Sequence, residues 1–156
     1  MRGVTGGLTD DTGALTAAER DDRVVWSLHR AALGRGISPT VPAGVLAEAW
    51  RGGPQHRLSR LLRGCTVQPL TEPQARAVGV LAASSGLEDT VDLTVAETAM
   101  RRREAVVTSS RSHIEQVARA VGGCWSSTRS ERPATSPEDG RAPIGADEKT
   151  RSREAV

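Results

Sequence analysis

Acidic side chains stand in three separate regions of the chain, at or near the starts of predicted helices. Asp11 follows the short run GLTD. Glu48 lies in the helix that Pro42 opens, and Asp89 and Asp92 lie in the first turn of a third helix. Strand ends next to carboxylates on helices often form metal or phosphate sites. Carboxylates crowd into one place only when a cation offsets their mutual repulsion. The pattern therefore favours the hypothesis of one acidic, cation-binding site.

Each of these acids also has an ordinary structural explanation. Asp11 can cap a turn, because aspartate accepts hydrogen bonds from backbone N–H groups. Glu48 can be a solvated helix residue that pairs with Arg51, three positions further on. Asp89 and Asp92 can be stabilised by the positive end of the helix dipole. A shared site requires that the fold bring the three regions together.

Short apolar strands and amphipathic helices alternate along the chain. The predicted strands are GLTDD, ISPTV, CTVQPL and AVVTS, with helices between them. This alternation predicts an α/β fold, a three-layer αβα sandwich with a central, mostly parallel sheet. Functional groups in such sheets gather at the carboxyl ends of the strands. Asp11 and Ser110 follow two of these strands, and the acids on helices belong to the same edge if their helices start there.

The composition changes after Gly122-Gly123. From Trp125 onward the chain is rich in Ser, Pro, Gly and charged residues and has few apolar ones. Such a segment cannot bury enough apolar surface to offset the entropy lost on ordering. The sequence therefore predicts one domain over residues 1–123 and a disordered C-terminal tail over residues 124–156.

Charge and hydropathy limit the possible partners and location. The formal net charge is +2, which permits nucleic-acid binding without requiring it. No apolar run approaches the roughly 20 residues of a membrane helix. The N-terminal sequence MRGVTGGLTDD lacks the apolar centre of a signal peptide. The expectation is a cytoplasmic protein with no membrane partner.

Cysteines and histidines give no sign of a second site. Cys65 and Cys124 are far apart in the sequence, and both are predicted to be reduced thiols rather than a disulfide. His29, His56 and His113 show no metal-ligand spacing. They are predicted to lie on the surface or at helix ends.

Taken together, these segments resemble the PIN-domain nucleases, most closely the compact bacterial type that includes VapC-like toxins. The segments that carry the resemblance are LTDDTGAL, VPAGVLAEAWRGG, DTVDLTVAETAMRRREAVVTSS and IEQVA. Asp11 in DTGAL corresponds to the family's first acid, and Glu48, in the helix after the VPA turn, to its second. Asp92 in D-x-x-V-A corresponds to the third, with Asp89 as an additional acid nearby. The fourth acid usually follows VVTS, where this chain has Ser110.

The resemblance implies a metal-dependent endoribonuclease that acts as the toxin of a toxin–antitoxin pair. Asp11, Glu48 and Asp92 would then be the catalytic residues. Asp11, Asp92 and Asp89 would hold Mg²⁺ or Mn²⁺, hard cations that prefer oxygen ligands. Nearby arginines would hold the phosphates of the RNA substrate. An antitoxin protein and a second copy of the chain, in a homodimer, are the other partners implied.

Three positions depart from the family pattern. Ser110 removes one negative charge and one strong ligand, so metal affinity should drop. His113 stands where the family often carries another acid. Asp10 stands in a strand where the family has apolar residues. These departures predict a weakened nuclease, and the alternative is a catalytically degenerate PIN domain that binds protein or RNA without cleavage.

Overall fold

The computed structural model describes residues 6–108 and 127–129. Its strands are Leu8–Asp10 (β1), Thr40–Pro42 (β2), Thr66–Gln68 (β3), Ala105–Thr108 (β4) and Ser127–Arg129 (β5). Its helices are Thr12–Glu19 (α1), Arg23–Gly34 (α2), Ala43–Ala49 (α3), His56–Leu62 (α4), Glu72–Ser85 (α5) and Thr90–Arg102 (α6). The strands form one sheet in the order β3-β2-β1-β4-β5.

Every strand pair in this sheet is parallel. The chain moves from β1 through β2 to β3 in one direction and then returns across the sheet to β4. Because such crossovers are right-handed, the return connection places α5 and α6 on the face opposite α1, α2 and α4. The predicted α/β sandwich with a parallel sheet is therefore confirmed.

Apolar side chains fill the space on both faces of the sheet. On one side, Leu15 of α1, Val25 of α2 and Val107 of β4 are fully buried in one large cluster. A smaller cluster joins α5 to α6 through four buried residues, which are Val78, Leu81, Leu93 and Ala96. These clusters fix the helices against the sheet, and so fix where each helix begins.

Aspartates define the starts of three helices. Asp11, Asp22 and Asp89 cap α1, α2 and α6, each accepting hydrogen bonds from backbone N–H groups of the first turn. Such caps satisfy donors that the helix itself leaves unpaired. α1 and α3 begin directly after the ends of β1 and β2. α6 runs back toward the start of β4, so it too begins at the carboxyl edge of the sheet.

β5 lies inside the segment 124–156 that the sequence predicts as a disordered tail. Its three residues pair in register with Val106, Val107 and Thr108 of β4. Residues 127–129 are thus placed as a strand through backbone pairing with β4, and the tail itself stays a prediction. The remainder of that segment lies outside the described residues, and the boundary at residue 123 stays a prediction.

No helix within the described ranges combines the length and the apolar character needed to cross a membrane.

Candidate functional site

Asp11 lies where β1 passes into α1. Its backbone N–H continues the ladder by donating to the Val107 carbonyl at 3.1 Å. Its carboxylate is only 6% exposed, and Oδ1 accepts a hydrogen bond from Ala14 N–H at 2.6 Å. The hydroxyl of Thr108, at the end of β4, also donates to this carboxylate. Asp11 is thus the N-cap of α1, which is the ordinary structural role that the sequence suggests for it. Its backbone bond also fixes it at the carboxyl edge of the sheet.

Burial and neighbouring charge both act on the Asp11 carboxyl. The pKa of Asp11 is raised from 3.8 to about 6, and burial is the largest cause. The hydrogen bonds from Thr108 and Ala14 lower this pKa, and the negative charges of Asp10 and Asp92 raise it. The charge of Asp92 acts on Asp11, so acids from the first and third regions of the sequence lie close enough for their charges to interact. A cation placed between these carboxylates would relieve that repulsion.

Asp92 and Asp89 occupy the first turn and the N-cap of α6. Asp89 Oδ1 accepts hydrogen bonds from Val91 N–H at 2.9 Å and from Asp92 N–H at 3.0 Å. This cap fixes the turn that presents Asp92. Asp92 itself is half-buried, whereas Asp89 is exposed. The structure thus places Asp89 as the support of Asp92, and its role as a metal ligand stays a prediction.

Glu48 is exposed on α3 and is connected to α1. The Thr12 hydroxyl donates to Glu48 Oε2 at 2.6 Å, and Thr12 directly follows Asp11. α3 also packs on α6, where Val91 lies 3.6 Å from the position that a Cβ on Gly44 would occupy. A Cβ at Gly44 would therefore make only an ordinary van der Waals contact with Val91. The second acidic region therefore lies beside the other two.

A surface groove of about 250 Å³ adjoins Glu48 and Thr12. Arg20 and Arg51 also line it. Guanidinium groups bind phosphate oxygens through paired hydrogen bonds. Glu19 and Glu48 line the same groove as the two arginines, so the groove carries charges of both signs. No substrate-binding residue was predicted individually, because the sequence does not show which arginines face this edge.

Ser110 and His113, which the resemblance places at the same edge, lie outside the described residues. Their contribution to the site stays a prediction. The described part of the site consists of Asp11, Asp92 and Glu48, with Asp89 beneath Asp92.

A second group of side chains, on the opposite face of the sheet, was missed by the sequence analysis. His29 is 3% exposed in the middle of α2, so the prediction of a surface or helix-end position is wrong for this residue. Its Nε2 lies 3.0 Å from Asp10 Oδ1, and its Nδ1 lies 3.7 Å from Cys65 Sγ. The three residues are 19 and 36 positions apart along the chain, spacings that match no local motif.

Burial dominates the ionisation of this group. It raises the pKa of Asp10, while the hydrogen bond and the charge of His29 lower it and the charge of Glu104 raises it. Burial also raises the pKa of the Cys65 thiol to about 12, with the Asp10 charge acting in the same direction. Cys65 donates to the Leu61 carbonyl at 3.3 Å and is a free cysteine, as predicted. At neutral pH the group therefore consists of the Asp10–His29 pair with the protonated thiol of Cys65 beside it.

Two further acids are buried on the α6 side of the sheet. Glu104 accepts hydrogen bonds from Thr9 at 2.7 Å and from Arg102 at 2.8 Å. Glu97 accepts from Arg101 at 2.8 Å, and its Oε2 is buried with no hydrogen-bond partner among the described residues. Neither residue was singled out from the sequence, where both look like solvated charges near a helix end.

Comparisons with known proteins give a likeness of fold. Neither a family model nor a curated protein matches the chain. A solved structure that does match is described as VapBC2 from Rickettsia felis bound to a DNA fragment from their promoter. The TM-score is 0.57 at 15% identity, over 70% of this chain and 92% of that chain. The fold is PIN-like. At this identity the likeness shows the fold alone, and activity has to be argued from the site.

Proposed function

We propose that this protein is a metal-dependent endoribonuclease of the PIN type, whose active site consists of Asp11, Glu48 and Asp92. The observation that carries the proposal is the position of Asp11. Its carboxylate is buried at the carboxyl edge of the sheet, within the electric field of Asp92. Strongly perturbed acids in such a place are candidate functional groups.

The donor set fits a hard divalent cation. Asp11, Asp92 and Glu48 offer only carboxylate oxygens, and Thr12 and Thr108 add hydroxyls around them. Mg²⁺ and Mn²⁺ prefer such ligands. When bound, the cation would activate water and stabilise the charge that develops on the phosphate. Raising the pKa of Asp11 to about 6 leaves the carboxylate largely ionised at neutral pH, which is the form a cation needs.

Each residue has a separate task in this proposal. Asp11 and Asp92 hold the cation from β1 and α6. Glu48, exposed and hydrogen-bonded to Thr12, orients the attacking water from α3. Asp89 fixes the first turn of α6 through its two backbone bonds and adds negative charge near the ion. We therefore expect Asp89 to matter less than Asp92 for cleavage.

RNA is the proposed substrate, and it would lie along the groove beside Glu48. Arg20 and Arg51 line that groove and would bind phosphates on one side of the scissile bond. Contacts of this kind position a chain without reading its sequence. The cleavage preference would then come from the bases near the acids.

An antitoxin protein, a second copy of the chain and a cytoplasmic location complete the proposal. The matched VapBC2 structure is described as bound to promoter DNA, a property of that complex. By analogy of fold, we propose that this chain is the toxin of a pair and that an antitoxin suppresses its activity.

A second candidate function is that of a degenerate PIN domain that binds protein or RNA without cleavage. The observation that favours it is Ser110, which stands where the resemblance expects a fourth carboxylate. Three acids can hold a divalent cation, but each lost carboxylate weakens the site. The two functions differ in one measurable property, which is metal-dependent turnover.

The test is cleavage of a mixed RNA pool by the purified full chain with Mg²⁺ or Mn²⁺. We expect wild-type cleavage that stops on chelation and falls roughly 100-fold or more in Asp92→Asn, because the cation loses a charged ligand. Asp22→Asn is a control for the loss of one carboxylate at another helix start, since Asp22 caps α2. Equal rates in Asp92→Asn and Asp22→Asn would contradict the proposal. Silence in wild type would favour the binding module.

A further inference from the structure

Three side chains of different chemistry meet on the face of the sheet that does not carry the acidic site. Asp10 comes from β1, His29 from α2, and Cys65 from the turn before β3. One potential ligand atom of each lies within 4.8 Å of the others. The elements that supply them are separated in sequence, so only the folded chain forms this group.

Asp10 is the member of the group that lacks a full set of partners. It is 0% exposed, in the central strand of the sheet. Both of its oxygens lie 3.0 Å from His29 Nε2, but only Oδ1 is aligned for a hydrogen bond. Oδ2 is buried with no hydrogen-bond partner among the described residues. A buried carboxylate oxygen left in this state is costly, so it points to a ligand.

We propose that Asp10, His29 and Cys65 form a binding site for a transition-metal ion of the Zn²⁺ class, separate from the acidic site. Carboxylate oxygen, imidazole nitrogen and thiolate sulfur together are a typical donor set for Zn²⁺ and a poor one for Mg²⁺ or Mn²⁺. Zn²⁺ bonds of about 2.0–2.3 Å place neighbouring ligand atoms of a tetrahedral site roughly 3.3–3.8 Å apart. Asp10 and Cys65 approach different nitrogens of the His29 ring, so the binding of one ion would require the imidazole to turn one nitrogen toward a point between the other two ligands.

A cavity of about 570 Å³ lies beside one of the three ligands and is lined by His29, Leu61 and Gly64. Asp10 and Cys65 do not line it, so an ion would reach them from this cavity only past the buried His29 ring. Arg30 and Arg60 also line the cavity. Their positive charge repels an approaching cation, so we expect the site to bind its metal ion slowly.

A bound ion would connect β1 and α2 to the start of β3. The consequence is structural: the ion fixes the strand that carries Asp11 without touching the RNA site. This inference stands whether or not the acidic site cleaves RNA.

Co²⁺ is the probe for the first experiment, because its bond to a thiolate gives a charge-transfer absorption that carboxylate sites lack. We expect one Co²⁺ per full-length chain with this absorption, displaced by Zn²⁺. The absorption should vanish in Cys65→Ser and His29→Gln, and persist in Cys124→Ser, the matched control at the other cysteine. It should also persist in Asp11→Asn, which alters only the acidic site. Absence of the absorption in wild type, or its loss in Cys124→Ser instead of Cys65→Ser, would overturn the proposal.

A second measurement does not depend on whether Cys65→Ser folds. Cys124→Ser retains Cys65 as its one thiol. X-ray absorption of the Zn²⁺-loaded Cys124→Ser protein should show one sulfur at about 2.3 Å and the remaining ligands, oxygen or nitrogen, at about 2.0–2.1 Å. A zinc environment without sulfur would overturn the proposal.

Discussion

Asp10 and Asp11 are consecutive in the chain, but their carboxylates lie on opposite faces of the sheet. Asp10 reaches His29 of α2, whereas Asp11 accepts from Thr108 and is repelled by Asp92 of α6. The alternation of side chains along an extended strand produces this separation. Because the two acids remain close through the backbone, the charge of Asp10 raises the pKa of Asp11. Two adjacent acids therefore have two different roles.

Asp11 should destabilise the metal-free protein above pH 6. Its pKa rises from 3.8 to about 6 on folding, so the folded protein binds the proton more tightly than the unfolded chain. The contribution of this carboxyl to stability is therefore largest below pH 3.8 and is lost as the pH rises through about 6. We expect Asp11→Asn to raise the free energy of unfolding by about 1–3 kcal/mol at pH 8 in the presence of a chelator.

Urea unfolding between pH 4 and pH 8 measures this effect. Asparagine still caps a helix, so the substitution removes charge and keeps the cap. Asp22→Asn, at another capping aspartate, should show no comparable gain at pH 8. A loss of stability in Asp11→Asn at pH 8 would show that the burial of this charge is already compensated within the protein.

Thr108 should hold the pKa of Asp11 below the value that burial alone would give. Its hydrogen bond is the largest influence that lowers this pKa. In Thr108→Val the bond is lost with little change of shape, so the pKa of Asp11 should rise, whereas Thr108→Ser should keep it close to that of wild type. Carboxyl ¹³C NMR titration of the metal-free protein gives the midpoint directly. An unchanged or lower midpoint in Thr108→Val would contradict the assignment of this bond.

Asp10 and His29 should behave as a buried pair. His29→Leu leaves the carboxylate without its partner, and we expect a loss of about 3–5 kcal/mol in the free energy of unfolding, measured with a chelator present. The double variant Asp10→Val with His29→Leu replaces the pair by apolar residues and should recover much of that loss. If the loss of unfolding free energy in the double variant equals the sum of the losses in His29→Leu and Asp10→Val, the two side chains are not coupled.

The grouping of the acids at one edge was predictable from sequence, because it follows from chain order. Strands that alternate with helices form a parallel sheet, and Asp11 follows a strand end. Asp89 precedes a long amphipathic segment, so the start of α6 could also be predicted. These are local patterns, and they predicted the fold, whereas the roles of the acids stay a prediction.

The pair on the other face was not predictable, because it depends on contacts between distant segments. His29 lies on the buried side of α2, opposite β1, and nothing in the residues around it shows that Asp10 will be its partner. The one sign of this pair in the sequence was Asp10 itself, a charged residue inside a strand otherwise predicted to be buried. A charge at such a position requires a partner. β5 was likewise not predicted from the sequence, since its pairing with β4 does not depend on apolar composition.

Arg20 and Arg51 should contribute to RNA binding more than to the chemical step. Each lines the groove beside Glu48, and loss of one charge-assisted phosphate contact should raise KM roughly tenfold with little change in kcat. Arg35→Ala is a suitable control, because Arg35 bonds the Gly6 carbonyl, which precedes β1 at the opposite edge of the sheet. Steady-state cleavage of a short RNA measures both constants. An equal rise in KM for Arg35→Ala would mean that the effect is one of net charge alone.

Cleavage of RNA by Ser110→Asp, compared with wild type and with the double variant Ser110→Asp plus Asp92→Asn, tests the central claim most directly. All three should be assayed with Mg²⁺, with Mn²⁺ and with a chelator, after circular dichroism shows that each is folded. The account predicts metal-dependent cleavage by wild type, faster cleavage by Ser110→Asp because a ligand charge is restored, and loss of cleavage in the double variant. Folded Ser110→Asp protein that cleaves no RNA with either metal, or a double variant that cleaves as fast as Ser110→Asp, would contradict the claim that Asp11, Glu48 and Asp92 form a nuclease site.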